Sequence, residues 1–175
     1  MKTKSSGFTA LLLCTVVGIL LAAASDVRAS DFYEQFAAVG CHATGGASEV
    51  VVTTHGPAVQ PSGSGLDDVV LYCPVHVDGS NFFNALQIIA EDNTPDAYAQ
   101  ATLWQAPVAS PFTPAHPLAT IRTRNKPGLQ VGVNTQALYD TLDESKFVYW
   151  IEVRIVRTNP AAVVSVYSIG LLDLF

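Results

Sequence analysis

The sequence has 175 residues, of which 49% are hydrophobic and only 14% charged, and its formal net charge at pH 7 is −6. Its 9 basic side chains are outnumbered by 15 acidic ones. Binding to nucleic acid or to anionic lipid requires clustered Lys and Arg, so this balance argues against both partners. Arg122, Arg124 and Lys126 form one small cluster, which we interpret as a solvated rim beside a turn.

Residues 1–29 have the layout of a secretory signal peptide. Lys2 and Lys4 precede an apolar run over 10–24, and small residues predict cleavage after Ala29, with Ala24 as the alternative site. The run is shorter than the roughly 20 apolar residues that cross a bilayer, which favours release over a retained membrane anchor. We therefore expect a secreted protein, periplasmic or extracellular, with no stable membrane insertion after cleavage.

Cleavage at this site leaves 146 residues, the size of one domain. Cleavage removes three of the nine basic residues, Lys2, Lys4 and Arg28, and one of the fifteen acidic residues, Asp26. The remaining chain carries 6 basic and 14 acidic side chains, a formal charge of −8.

The cysteine count predicts one disulfide. Cys14 lies in the predicted signal peptide, so Cys41 and Cys73 are the two thiols of the exported chain. An even number of cysteines in an oxidising compartment is typical of a structural bond. A redox pair would usually be spaced Cys-x-x-Cys, and a catalytic thiol would have to be free, so neither function is favoured.

Period-two alternation of apolar side chains and β-branched residues dominates the exported chain, and no helical pattern exceeds two or three turns. These patterns predict an all-β fold, an antiparallel β-sandwich of the jelly-roll type with about eight strands. The predicted strands span residues 49–54, 69–77, 84–91, 98–105, 118–123, 129–134, 146–157 and 163–172.

The predicted organisation is a signal peptide over 1–29, an N-terminal arm over 30–45 and a sandwich domain over 46–175. Apolar positions in 31–39 fit one face of a short helix, but a segment of this length is unstable alone, and an extended arm fits equally well. Prolines and glycines predict a loop over 56–65, and four prolines predict an irregular segment over 106–117. A short helical or polar turn is predicted over 136–145.

Several short motifs carry a resemblance to known proteins. Leu71-Tyr72-Cys73-Pro74-Val75, Ala101-Thr102-Leu103-Trp104 and Phe147-Val148-Tyr149-Trp150-Ile151 are the main ones. With them, the chain resembles a loose group of small, largely uncharacterised exported bacterial β-sandwich proteins that have a Cys-Pro-Val strand and a single disulfide. The resemblance implies that Cys73 pairs with Cys41 and that the fold is a sandwich, and it implies no activity.

The sequence offers candidate metal ligands only in short acidic loops. The four histidines of the chain, His42, His55, His76 and His116, have no spacing that would form a zinc or copper pair. Two acidic loops, 78–81 and 92–96, offer the oxygen ligands that calcium prefers, with Asp78, Asp92 and Asp96 as candidates. Tight turns require the same residue types, and we favour that interpretation. The sequence predicts no other cofactor.

Catalytic motifs are not evident either. The Gly-x-Ser-x-Gly nucleophile elbow is missing, and nothing selects a pair of carboxylates for glycoside hydrolysis among the acidic residues. We therefore predict a non-enzymatic protein, with a secreted hydrolase as the lesser alternative.

Aromatic residues on predicted strands suggest a binding function. Trp104, Trp150 and Tyr98 would provide rings on which sugars stack, unless both faces of these strands belong to the core. The sequence thus favours a module that binds a glycan or another cell-surface partner. The alternative is a structural, self-associating exported subunit, whose contacts would come from the 31–39 segment and the apolar C-terminal strand.

Overall fold

A computed structural model describes residues 32–76, 83–109, 113–124, 126–134 and 142–173. The predicted signal peptide and the calcium candidate Asp78 lie outside these ranges. Within them, no helix has the length and apolar character needed to cross a membrane.

The described residues form eleven strands and one short 3-10 helix, Ala38–Gly40. The strands are β1 (Phe32–Ala37), β2 (His42–Gly45), β3 (Ser48–Thr53), β4 (Gly56–Pro61), β5 (Val69–Val75), β6 (Ala85–Asp92), β7 (Ala97–Pro107), β8 (His116–Arg122), β9 (Gly128–Asn134), β10 (Phe147–Arg157) and β11 (Val164–Leu172).

Two antiparallel sheets result, which confirms the predicted β-sandwich. The six-stranded sheet has the order β3-β4-β11-β6-β9, with β1 also paired to β11. The five-stranded sheet has the order β2-β5-β10-β7-β8. Strands that neighbour one another in a sheet are often distant in sequence, as β4 and β11 are.

The core lies between the two sheets and is built from alternate residues of each strand. On β10, the alternate residues Tyr149, Ile151, Val153 and Ile155 are buried. The six-stranded sheet buries a facing set that includes Leu86, Ile88, Val164, Val166 and Ile169. Each such side chain contributes about 1.5–3 kcal/mol when fully removed from water.

The disulfide predicted from the cysteine count is present. Cys41 and Cys73 are bonded, with their Cα atoms 4.6 Å apart. Cys41 directly precedes β2, and the neighbouring residues His42 and Tyr72 are paired in the ladder between β2 and β5. The bond therefore fastens the short edge strand β2 to the interior of the five-stranded sheet.

The N-terminal segment is extended, so the helical alternative for 31–39 is wrong. β1 pairs antiparallel with β11, from Phe32 opposite Leu172 to Ala37 opposite Ser168. This pairing satisfies backbone groups of both strands, whereas an isolated helix of this length would be unstable. Residues 42–45 form β2, so the described part of the 30–45 segment lies within the two sheets.

The loop predicted over 56–65 is also partly wrong, because β4 occupies its first half. Pro57 and Pro61 suggested irregular structure, since proline has no N–H to donate. β4, however, pairs with β3 in a hairpin and meets β11 at a single registered pair, Val59 opposite Val166. The missing donors therefore cost little on the β11 side. The irregular segment over 106–117 is likewise shorter than predicted, since β7 reaches Pro107 and β8 starts at His116.

Candidate functional site

The three candidate aromatic residues lie on one surface, the outer face of the five-stranded sheet. We define this outer face by the side chains of β7 and β10 that alternate with the core positions, namely Tyr98, Gln100, Thr102, Trp104, Val148, Trp150, Glu152, Arg154 and Val156. Residues directly opposite each other in an antiparallel ladder share a face, and the register places Trp104 directly opposite Trp150.

The two tryptophans form a parallel pair. Their ring centroids are 6.4 Å apart and their planes differ by 12°, within the range of offset aromatic pairs. Both side chains are partly exposed, and neighbouring Val148 is 52% exposed. The outer face of β10 is therefore partly open to solvent at these positions. The indole Nε1 of Trp104 is buried and has no hydrogen-bond partner among the described residues.

Tyr98 is arranged differently from the tryptophans. The guanidinium carbon of Arg122, on β8, lies 3.4 Å from the centroid of the Tyr98 ring. This is a cation–π contact, and it covers one face of the ring. Tyr98 can therefore offer a ligand only its other face or its edge. The sequence did not indicate this contact, because the two residues lie on different strands.

Polar side chains surround the tryptophan pair on the same outer face. Arg154 forms ion pairs with Asp68, at 3.2 Å, and with Glu152, at 3.9 Å. The hydroxyls of Thr102 and Thr120 are 3.2 Å apart. Surface ion pairs contribute about 0–1 kcal/mol, so Arg154, Asp68 and Glu152 can exchange their partners for a ligand at small cost.

Carbohydrate-binding modules are among the solved structures similar to this chain. The Carbohydrate-Binding Module CBM36 in complex with calcium and xylotriose is 11% identical, with 78% of this chain and 97% of that one covered and a TM-score of 0.45. TmCBM61 in complex with beta-1,4-galactotriose is 8% identical over 78% and 91%, with a TM-score of 0.49. The Family 11 module from Clostridium thermocellum, with a beta-1,3-1,4-mixed-linked tetrasaccharide, is 9% identical over 85% and 93%, with a TM-score of 0.44.

No protein-family model matches the sequence, and no curated protein matches it. At these identities and TM-scores, the similar structures assign no residue of this chain to a site.

The two described calcium candidates do not come together. Asp92 is only 2% exposed, and the side-chain amide of Gln130 donates to its Oδ2 at 3.3 Å. Burial raises the pKa of Asp92 to about 7, and the Gln130 hydrogen bond opposes this shift. Asp96 is exposed, and its backbone accepts hydrogen bonds from Thr158. Within the described ranges, no group of three or more His, Cys, Asp or Glu side chains is placed to hold a metal ion.

Turn chemistry accounts for the 92–96 loop, as the sequence favoured. The side-chain oxygen of Asn93 accepts a hydrogen bond from the backbone of Val163 at 2.7 Å. The hydroxyl of Thr94 accepts one from the backbone of Asp96 at 3.3 Å. Thr94 thus satisfies a backbone donor within the turn between β6 and β7, and Asn93 ties that turn to the segment that precedes β11.

A polar cluster that the sequence did not indicate lies on the outer side of the six-stranded sheet. Tyr167, at a bulge in β11, donates from its hydroxyl to Glu91 at 2.7 Å and accepts from Thr53 at 3.0 Å. Burial and the hydrogen bond to Glu91 raise the pKa of Tyr167. The His55 ring stands perpendicular to the tyrosine ring, with centroids 5.9 Å apart.

The same cluster borders a cavity of about 590 Å³ whose lining includes His55 and Ser168. A serine hydrolase would need a hydrogen bond between the serine and its base. The Ser168 hydroxyl instead accepts a hydrogen bond from the amide of Gln35 at 3.0 Å. The lesser alternative of a hydrolase therefore gains no support from this pair.

Proposed function

We propose that this protein is a non-enzymatic glycan-binding protein and that its ligand lies on the outer face of the five-stranded sheet. Trp104 and Trp150 are the principal stacking residues, and Tyr98 makes a lesser contact with its uncovered face. One observation carries the proposal: two indoles stand opposite each other, nearly parallel and partly exposed, on a sheet face that the core does not use.

The chemistry of a saccharide fits this face. A sugar ring presents apolar C–H faces, which gain from contact with aromatic rings, and hydroxyls at its edge, which require hydrogen-bonding partners. Binding sites for such ligands combine an apolar platform with a few polar groups that fix orientation. Glu152 and Arg154 lie on the same outer face as the tryptophans and offer an acceptor and donors of this kind.

Replacement of one tryptophan tests the proposal. The wild-type protein is screened on a glycan array, and the dissociation constant of the strongest soluble ligand is then measured by calorimetry for wild type and Trp150→Ala. We expect the variant to bind at least about 30-fold more weakly, since loss of a central aromatic contact costs about 2 kcal/mol or more.

Val148→Ala is the matched control, because Val148 lies on the same side of β10 and is exposed but is not aromatic. Its affinity should change less than about threefold. Urea unfolding checks that both variants remain folded. The proposal fails when wild type binds no glycan on the array, or when Trp150→Ala binds the selected glycan as tightly as Val148→Ala does.

We also propose that the protein works outside the cytoplasm after residues 1–29 are removed. The disulfide supports this, because such bonds persist in oxidising compartments and are rare in the cytosol. N-terminal sequencing of the exported protein should then begin at Ser30, and a first residue of Met1 would contradict the proposal.

A further inference from the structure

A groove of about 530 Å³ lies between β8 and β9, the edge strands of the two sheets. Leu129, Val131 and Val133 project from β9 and form an exposed apolar wall along it. Gly132 faces inward between these residues and allows β9 to approach the side chains of Ile88 and Ile121 closely.

Positive charge is concentrated at this groove. Arg122, Arg124 and Lys126 line it and are exposed, and its described lining includes no carboxylate. These three residues are half of the 6 basic side chains that remain after the predicted cleavage, in a chain whose formal charge is then −8. Arg124 and Lys126 form no ion pair with a carboxylate within the described ranges.

The three basic side chains away from the groove each have protein partners. Lys146 pairs with Asp143 at 2.7 Å, and Arg154 pairs with Asp68. The guanidinium of Arg157 is buried and donates to backbone carbonyls, among them that of Gly63 at 2.9 Å. The groove is therefore the place on the described surface where an anionic group would meet several cations together.

Gln130 holds the backbone that carries two of these cations. Its side-chain oxygen accepts a hydrogen bond from the N–H of Arg124 at 2.7 Å. Its amide nitrogen donates to the carbonyls of Arg124, at 2.9 Å, and Lys126, at 2.8 Å. A ligand that binds both side chains does not have to order this backbone first, which lowers the entropic cost of binding.

We infer that the groove binds the anionic group, carboxylate or sulfate, of an acidic saccharide, and that the protein's glycan therefore carries at least one acidic sugar. The inference rests on the proposed function, because Arg122 belongs to both surfaces: it lines the groove and its guanidinium covers Tyr98 on the outer face. Arginine binds carboxylate and sulfate oxygens through paired N–H donors.

The ligand must be a chain rather than a single sugar. Tyr98 and Trp104 are six residues apart on β7, which corresponds to about 20 Å along a strand. A saccharide that stacks on the tryptophans and reaches Arg122 must span this distance. Nucleic acids and anionic lipid surfaces present phosphates over a wide area, which would meet the acidic remainder of the protein, whereas an acidic saccharide needs to place only one anionic group in the groove.

Matched charged and uncharged ligands test the inference. Binding of hexagalacturonate is compared with binding of its fully methyl-esterified form, and dextran sulfate with dextran, by calorimetry at low and high salt. We expect wild type to bind at least one acidic ligand 10-fold or more tightly than its neutral counterpart, and high salt should reduce that preference. The carboxylate and sulfate pairs show which anionic group the groove prefers.

The variants are Arg124→Gln and Lys126→Gln, singly and together, with Lys146→Gln as the control that removes a positive charge away from the groove. We expect the double variant to lose most of the preference for the acidic ligand, and Lys146→Gln to retain it. Trp150→Ala should weaken binding of the acidic and neutral ligands by similar factors.

The inference is overturned when wild type binds no acidic saccharide, when it binds the acidic and neutral forms equally, or when the double variant keeps the preference. Tighter binding to an oligonucleotide or to phosphatidylserine vesicles than to either acidic saccharide also overturns it. In these cases binding of a neutral glycan that Trp150→Ala abolishes would still uphold the proposed function. If instead Trp150→Ala leaves all saccharide binding intact, the proposed function fails.

Discussion

Asp92 places a carboxyl group on the core side of β6, where Gln130 is its hydrogen-bonding neighbour and one of its oxygens has no partner in the described ranges. Burial raises its pKa from 3.8 to about 7. Between these values the folded protein keeps a proton that the unfolded chain has lost. Rising pH therefore favours the unfolded state over this interval, and the effect is complete above about pH 7.

Asp92→Asn removes this titration and should change how stability depends on pH. We expect the free energy of unfolding of the variant, relative to wild type, to rise by a few kcal/mol between about pH 4 and about pH 8. Urea titrations at both values measure the difference. Asp96→Asn, an exposed carboxylate in the same loop, is the control and should show no such trend. The account is contradicted when the free energies of unfolding of Asp92→Asn and wild type differ by the same amount at both pH values.

Residue type and alternation were enough to select the aromatic candidates, but not to describe their arrangement. The period-two pattern of β10 correctly set Trp150 against the face of Tyr149 and Ile151. That Trp104 stands opposite Trp150 depends on the register between β7 and β10, which are separated by β8 and β9 in the chain. Local sequence carries no information on such a register, and the same limit hid the contact between Arg122 and Tyr98.

Strands are recognised from sequence when alternation persists over several residues. All eight predicted strands are confirmed, as β3 and β5 to β11, with ends that shift by at most two residues. β1, β2 and β4 were not identified as strands. β2 has only four residues, β4 contains two prolines, and β1 is extended because β11 is available to pair with it. These three depend on tertiary partners more than on their own pattern.

The disulfide connects elements that would otherwise have few constraints. β2 lies at the edge of the five-stranded sheet and pairs with β5 alone. Cys41 and Cys73 are separated by 32 residues. Closing a loop of this size lowers the entropy of the unfolded chain, which stabilises the folded state by about 3–4 kcal/mol on the chain-entropy estimate. The strand ladders do not depend on the bond, so the fold should survive its removal with lower stability.

Cys41→Ala/Cys73→Ala tests this expectation. We expect the variant to keep the circular dichroism spectrum of wild type and to lose about 3–4 kcal/mol of unfolding free energy in urea. Reductant should lower the stability of wild type by a similar amount and leave the variant unchanged. A variant as stable as oxidised wild type would show that the bond does not stabilise the fold.

At the scale of the whole molecule, the first described strand and the last one lie side by side. β11 pairs with β6 along one edge, and β4 and β1 share its other edge, with β1 covering 168–172. The alternative of a self-associating subunit assigned intermolecular contacts to these same two segments. β11 has partners on both of its edges, which argues against assembly through β11, whereas β1 pairs with β11 alone among the described strands.

Deletion of β1 distinguishes the two possibilities. A chain that begins at Ala38 leaves the edge of β11 from Ser168 to Leu172 without its partner, and an uncovered edge promotes pairing with other chains. We expect sedimentation to show a monomer for the chain that begins at Ser30 and concentration-dependent association for the shortened one. Gln35→Ala, which removes one side-chain hydrogen bond to Ser168 but no backbone pairing, should stay monomeric. If β1 instead joins subunits, the order reverses: the longer chain associates, and deleting β1 releases monomers.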